Sequence, residues 1–444
     1  MQNSFIDMHI KSREVWGSYL GFLLTTIGSA VGIGSIWRFP YMTSMNGGGT
    51  FLIVYIIVIF TFGLAFMVLE LSVGIRYRTS IVSTLASIRD RFRFIGLFMV
   101  SIVVAILSYY MVVLGWILSY LGMSITGSYM DFNVFIDTWY PLAAFFAVAA
   151  INYTVVRSGI RRGVERFNKY AMLTLFALLI PLTLIGLSMD DGKAVDFYLK
   201  PDNDRMLEPN VWAAALGQAF FSLSIGMGVL VTYGSYLQGN SKRSVLSTSL
   251  AIISSVLAVA FLSGLMVFSM VLANGFDLEE IQGAALVFVA MPKIMQGSEY
   301  SMMGMMFFLL LFLAGITSSI SMLQIPVSAL EDTFNVSKGK AVLMITLVAS
   351  IVGIPSALSY SPMRLSISGV PFLDTFDWMF GTIALAVSAA SMAIVFSWFV
   401  EKDKIMEQVN MNSRIRIPYA ALYIVRIFLP VMIIATLVKI LFFS

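Results

Sequence analysis

Eleven long apolar runs, near 18–42, 50–75, 94–124, 139–156, 167–188, 211–237, 245–274, 301–330, 340–358, 372–399 and 417–442, constrain this chain more than any other feature. Each is about the 20 residues that an α-helix needs to cross a bilayer. At 59% hydrophobic and 12% charged residues, the 444-residue chain is far too apolar to be a soluble globular protein. Outer-membrane strands would alternate in short runs, which these do not. The reading is an all-α integral membrane protein of about eleven transmembrane helices, forming one transmembrane domain over 1–444 and lodged in a lipid bilayer. The connectors 189–210 and 400–416 are too short to hold a core of their own.

Basic residues accumulate on the cytoplasmic side of membrane proteins. With the N-terminus inside, the inner loops collect twenty of the 28 basic residues, among them Lys11, Arg13, Arg161, Arg162, Arg166, Lys242, Lys338 and Arg414. The outer loops carry acids instead, including Asp190, Asp202, Glu279 and Glu280. This predicts a multi-pass cell-membrane protein, N-terminus cytoplasmic and C-terminus extracellular. It also assigns the net charge of +4 to topology rather than to a nucleic-acid partner. The absence of cysteine and the single histidine, His9, leave no disulfide, zinc-type site or Cys/His nucleophile, so an enzyme is not expected. The first apolar run is a full-length span behind a polar leader, so no cleavable signal is expected.

Two spans carry breaks. The first reads GSAVGIGSIWRFPY, with Gly28, Gly32 and Gly34 followed by Trp37, Arg38 and Pro40; the sixth reads Ser222-Leu223-Ser224-Ile225-Gly226-Met227-Gly228. Each glycine costs a helix about 1 kcal/mol relative to alanine. Unwound backbone at membrane depth is tolerated only where it meets protein or a water-filled cavity. If 18–188 and 211–399 are two five-helix inverted repeats, with 417–442 an added eleventh helix, the breaks fall in the first helix of each half. That arrangement is a known sequence pointer to a transporter's binding site. Alternatively, the Gly28-x-x-x-Gly32 spacing is a helix-packing face.

The stretches GSAVGIGSIWRFPY, NGGGTFLIVY and ELSVGIRYR resemble the neurotransmitter:sodium symporter family. So do REVW, SYYMVVLGW in span three, QAFFSLSIGMGVLVTYGSY in span six, LAGITSSISMLQIP in span eight and FLDTFDW in span ten. The match is nearest to the family's eleven-span prokaryotic amino-acid transporters. It implies sodium-coupled symport of a small zwitterion by alternating access, with helices one and six discontinuous.

The resemblance implies that backbone near Ser29, Ala30, Gly32 and Gly34, with the Tyr110 hydroxyl, holds a substrate carboxylate. Tyr110 could alternatively be an interfacial anchor. Family members that carry amines without a carboxylate have aspartate at the position of Gly32. Glycine there points to an α-amino acid. The side-chain pocket would draw on Ile106, Phe221, Ser222, Ser224, Met227, Ser318 and Met322. With no acid or base among them, the cargo is a neutral, hydrophobic or aromatic L-amino acid. Met227 and Met322 could equally be plain core.

One family sodium site maps to carbonyls of Gly28, Val31 and Ala314 and hydroxyls of Thr317 and Ser318, the hard oxygens such an ion prefers. Read alone, the two hydroxyls could be ordinary interhelical hydrogen bonders. The other site departs from the family pattern. Beside the Ala30 carbonyl it has Ser35 for asparagine, Ser222 for threonine, and Val256 at the span-seven position, with Ser254 and Ser255 nearby. The expectation is therefore one sodium ion, with a second at Ala30, Ser35 and Ser222 left open; one ion is worth ~3.7 kcal/mol for a tenfold gradient and ~100 mV, or roughly 500-fold accumulation.

Chloride is left open, with Tyr55, Gln218 and Ser222 as candidate contacts, and so is oligomeric state. Arg38 and Asp377 map to an outer gate. Arg13 and Asp332, supported by Trp16, Ser235 and Tyr236, map to a cytoplasmic one. Glu70, in mid-span two, is expected to accept hydrogen bonds from unwound backbone. A sensor or a channel would share the membrane fold but lack, respectively, concentrative uptake and paired gates.

Overall fold

The computed structural model describes residues 13–237, 243–278, 283, 285–414 and 416–442. His9, Lys11, Lys242, Glu279, Glu280 and the two last residues lie outside them. Among the described residues nine helices are long and apolar enough to cross a membrane, and a bent pair makes a tenth span. That pair is span one, Tyr19–Ala30 and Gly34–Met45, bent by 53°. Span six is also a pair, Pro209–Ser222 and Val229–Ser235, each half too short to span alone. The remaining spans are two (Gly49–Tyr77), three (Asp90–Ser124), four (Tyr140–Arg157), five (Ile160–Met189), seven (Val245–Ala273), eight (Ser301–Phe334), nine (Lys338–Leu358) and ten (Phe372–Phe399). Span eleven is Tyr419–Phe442.

Burial sorts these helices by role. Span eight is buried over most of its length and packs on spans one, three, four, five and nine, whereas spans four, five and eleven present much of their surface outward. In water an apolar exterior of this size would drive aggregation; in lipid it is the solvated face. Span five begins seven residues earlier than its apolar run, at a π-helical turn over Ile160–Glu165. Arg161, Arg162 and Arg166 conceal that turn from a hydropathy reading, because it lies beyond the hydrocarbon. The two largest connectors form short helices, Lys193–Leu199 and Lys402–Asn410. A two-residue hairpin pairs Ser366–Ile367 with Val370–Pro371 ahead of span ten.

Both breaks have local causes. Val31 ends the first half of span one at φ −80°, ψ 74°, outside helical geometry. In span six, Gly226 and Gly228 adopt φ +81° and +80°, and Ser224 adopts φ +51°. Such angles come without steric penalty only to glycine, so the strain at Ser224 needs an external holder. Its hydroxyl supplies one by donating to the Ser29 carbonyl at 2.9 Å, which joins the two breaks directly.

Candidate functional site

The breaks meet in a closed cavity lined by Ser29, Ala30, Gly32 and Gly34 from span one and Ile106 and Tyr110 from span three. Phe221, Ser224 and Met227 come from span six, and Ser318 and Met322 from span eight. Val229 and Ser321 also line it and were not singled out from sequence. Ser321 lies three residues beyond Ser318, on the same helical face, and that spacing was the available signal. Among the described residues no charged side chain lines the cavity. Its volume is about 30 Å³, room for no more than a few ordered waters. An amino-acid side chain therefore enters only as flexible walls move aside. Phe221 and the two methionines are the large side chains of that wall.

Glycine is required at two wall positions by contact. A Cβ at Gly32 would fall 2.7 Å from the Ser318 hydroxyl and 3.3 Å from that of Tyr110. One at Gly34 would overlap the Phe221 ring. The Tyr110 hydroxyl accepts from the Ile33 backbone N–H at 3.4 Å, at the start of the second half-helix. A helix N-terminus, with its free N–H groups and positive dipole end, is a ready carboxylate site.

Span eight presses a ring of oxygens against the end of the first half-helix. The Thr317 hydroxyl lies 2.8 Å from the Gly28 carbonyl and 2.9 Å from that of Ala314. The Ser318 hydroxyl lies 3.3 Å from each of those carbonyls and 3.1 Å from Ser29 O. Val31, whose geometry breaks the helix, is fully buried beside this group. Neutral, convergent oxygens with no nitrogen among them fit a hard monovalent cation. Both hydroxyls can turn their lone pairs inward when an ion replaces the carbonyl contacts.

The other ion region is assembled differently. Ser222 does not line the cavity: its hydroxyl accepts from Gln218 Nε2 at 2.9 Å, and the same amide also donates to Gly34 O at 2.9 Å. Ser222 is thus corrected from a pocket residue to part of a polar cluster behind the break, because the last helical turn points it toward Gln218. Among the described residues, the Ser35 hydroxyl and Gln218 Oε1 are buried without a partner. Val256 is fully buried on span seven. Ser254 is exposed, and Ser255 donates to Ala251 O of its own helix at 2.8 Å. Neither serine takes the place of Val256, since one step along a helix turns a side chain by about 100°.

Glu70 accepts from the Gly226 N–H at 3.0 Å, and Ser388 of span ten donates to Gly226 O at 2.6 Å. The unwound segment is therefore tied to spans two and ten. The role of Ser388 had no sequence signal, because serines are common in spans.

The two charged pairs differ in state. Arg13 forms an ion pair with Asp332 and donates to Ser235 Oγ at 2.7 Å. Its guanidinium sits 4.6 Å from the Tyr236 ring centre. Trp16 is buried and donates through Nε1 to Tyr233 O at 3.0 Å, and Asp332 also accepts from Ser80 N at 2.6 Å. Arg38, by contrast, makes no ion pair with Asp377; its guanidinium lies 4.8 Å from the Phe221 ring centre. The expected outer pair is thus separated while the pair at the other end is formed. Two carboxylates unforeseen from sequence add to the closed end. Glu14 accepts from Ile160 N at 2.7 Å and Lys338 Nζ at 2.5 Å, and Glu165 from Gly17 N at 2.5 Å and Ser18 Oγ at 2.9 Å.

Comparison with known proteins supports the same architecture. Residues 13–134 and 138–443 match the sodium:neurotransmitter symporter family. An uncharacterized sodium-dependent transporter of Methanocaldococcus jannaschii is 32% identical, over 96% of this chain and 90% of its own. The sodium-dependent dopamine transporter of Caenorhabditis elegans is 28% identical, over 74% of this chain and 65% of its own. The crystal structure of MhsT in complex with L-phenylalanine superposes with a TM-score of 0.86 at 31% identity, covering 97% of this chain and 100% of that one. The chain belongs to the sodium:neurotransmitter symporter family, whose members are multi-pass, sodium-dependent secondary transporters and not enzymes.

Proposed function

We propose that this transporter takes up a neutral, hydrophobic or aromatic L-α-amino acid together with one sodium ion. Its basic loops would face the cytoplasm and span eleven would end outside. The observation that carries the reading is the cavity between the two breaks, apolar on the side-chain face and rimmed by glycine backbone and the Tyr110 hydroxyl at the other. A charged side chain would be buried there without a counter-charge, at a cost of several kcal/mol. A carboxylate has the N-terminus of the second half-helix to meet it. The likeness to MhsT, solved with phenylalanine, supports this cargo class.

Sodium belongs with the Gly28, Val31, Ala314, Thr317 and Ser318 oxygens, and Ser318 also lines the cavity. One hydroxyl borders both sites, so occupation of one stiffens the other. In the described arrangement the Arg13–Asp332 end is shut, and the Arg38–Asp377 pair is apart. Closure over substrate would bring the outer pair together as Phe221 shifts. The test is uptake of a panel of labelled amino acids by the purified protein in liposomes, with and without a sodium gradient. Leucine-like or aromatic substrates should accumulate only with sodium. Uptake that favours lysine or glutamate, or ignores sodium, overturns the proposal.

A further inference from the structure

Outside the central site, the bundle carries a groove of about 470 Å³ between spans four, five and eight. Its basic end is framed by Arg162 and Arg166, and its floor includes Phe167, Leu309 and Leu313. No carboxylate lines it among the described residues. Neither arginine has an ion-pair partner among the described residues, in contrast to Arg13 and Arg93. The turn over Ile160–Glu165 sorts its charges onto two faces. Glu165 is directed at Gly17 and Ser18, and Arg161 lies on that same side against Gly17, while Arg162 and Arg166 face the groove. The only acid on this turn is therefore held by span one and cannot neutralise the pair.

The shape matches one membrane leaflet. From Arg162 to Thr174, the limits of the groove along span five, twelve residues rise about 18 Å. One leaflet contributes about 15 Å of hydrocarbon. Guanidiniums thus stand at headgroup level and apolar side chains along the acyl region. Arginine binds phosphate through a planar fork, and basic pockets between helices on the cytoplasmic side suit anionic headgroups.

We propose that this groove is a binding site for an anionic glycerophospholipid, with its phosphate on Arg162 and Arg166 and one acyl chain along Phe167, Leu309 and Leu313. The site lies outside the transport pathway. Because its arginines share a turn with Glu165, the lipid would steady the support on which the start of span one rests.

The test is native mass spectrometry of the full-length protein in detergent, offered equal dioleoylphosphatidylglycerol and dioleoylphosphatidylcholine. The wild type should retain phosphatidylglycerol preferentially, and Arg162→Gln/Arg166→Gln should lower that preference roughly thirtyfold, two near-surface charges' worth. Arg91→Gln, which removes a charge elsewhere on the same membrane face, should leave it intact. Leu309→Trp, filling the floor, should reduce retention of both lipids and reads the site even if the double variant fails to fold. Soluble glycerol phosphate should not compete. Unchanged preference in the double variant, equal loss in Arg91→Gln, unchanged retention in Leu309→Trp, or full competition by glycerol phosphate would each overturn the proposal.

Discussion

Two regions beside the span-one break could hold a cation, and they share neighbouring residues of the same helix, Gly28 to Val31 and Ala30 to Ser35. In the first, span eight brings Thr317 and Ser318 within 3.3 Å of the Gly28 carbonyl, and Ser318 within 3.1 Å of that of Ser29, at the end of the first half-helix. In the second, the three side-chain positions do not present converging oxygens. Ser222 is bound by Gln218, Ser35 stands alone, and span seven offers the methyl groups of Val256. A broken helix alone therefore does not make an ion site. It exposes carbonyls, and a partner helix must bring further oxygens at the matching height.

The comparison can be broken most severely at Thr317. Thr317→Val keeps the shape and removes the hydroxyl, and sodium-driven uptake in liposomes should fall on the order of 100-fold, since even outer-shell changes at metal sites cost 10–100-fold. Uptake within a few-fold of wild type would remove this region from ion coupling. Next in size is Gly32→Ala, whose Cβ would press on the Ser318 hydroxyl at 2.7 Å. A loss of roughly tenfold in affinity for both sodium and amino acid is expected from overpacking shared by the two sites, read by calorimetric titration of each.

Asp332→Asn tests the closed end. The chain has no cysteine, so a single one introduced at the buried Ser328 of span eight reports access from that side. Its alkylation should accelerate roughly fivefold when the Arg13 pair is broken, the scale of a partly exposed ion pair. An unchanged rate would mean that Trp16 and the glutamates hold the end shut without it. The smallest effect belongs to the second region. Ser35→Ala should change the half-saturating sodium concentration by less than about twofold, because the hydroxyl meets no oxygen partner. A tenfold change would restore that region as a sodium site.

Much of this arrangement was readable from residue order because lipid imposes strict rules. Spans must be long and apolar, and a break must face something polar, so GSAVGIGSIWRFPY and SLSIGMG marked the site before any coordinates. Glu70 was readable for the same reason, as a carboxylate in mid-span needs a donor, and Gly226 N–H is that donor. Residues were misread where the answer depends on rotation about a helix axis. Ser222 turns behind the break, and Ser254 and Ser255 turn away from Val256. The separation of Arg38 from Asp377 is beyond sequence in another way, because it depends on where two side chains from different spans come to rest. The Glu14 and Glu165 contacts escaped notice because they join segments about 150 residues apart through backbone donors, which leave no mark in a sequence.

The proposed coupling assigns one sodium ion to the Thr317 region and none to the Ser35 region, and charge counting tests this directly. Current and labelled phenylalanine or leucine uptake, measured on the same proteoliposomes under an inward sodium gradient, give the charge moved per amino acid. One positive charge per substrate is the predicted result. Two charges per substrate would contradict it and require the Ser35–Ser222 region to bind sodium.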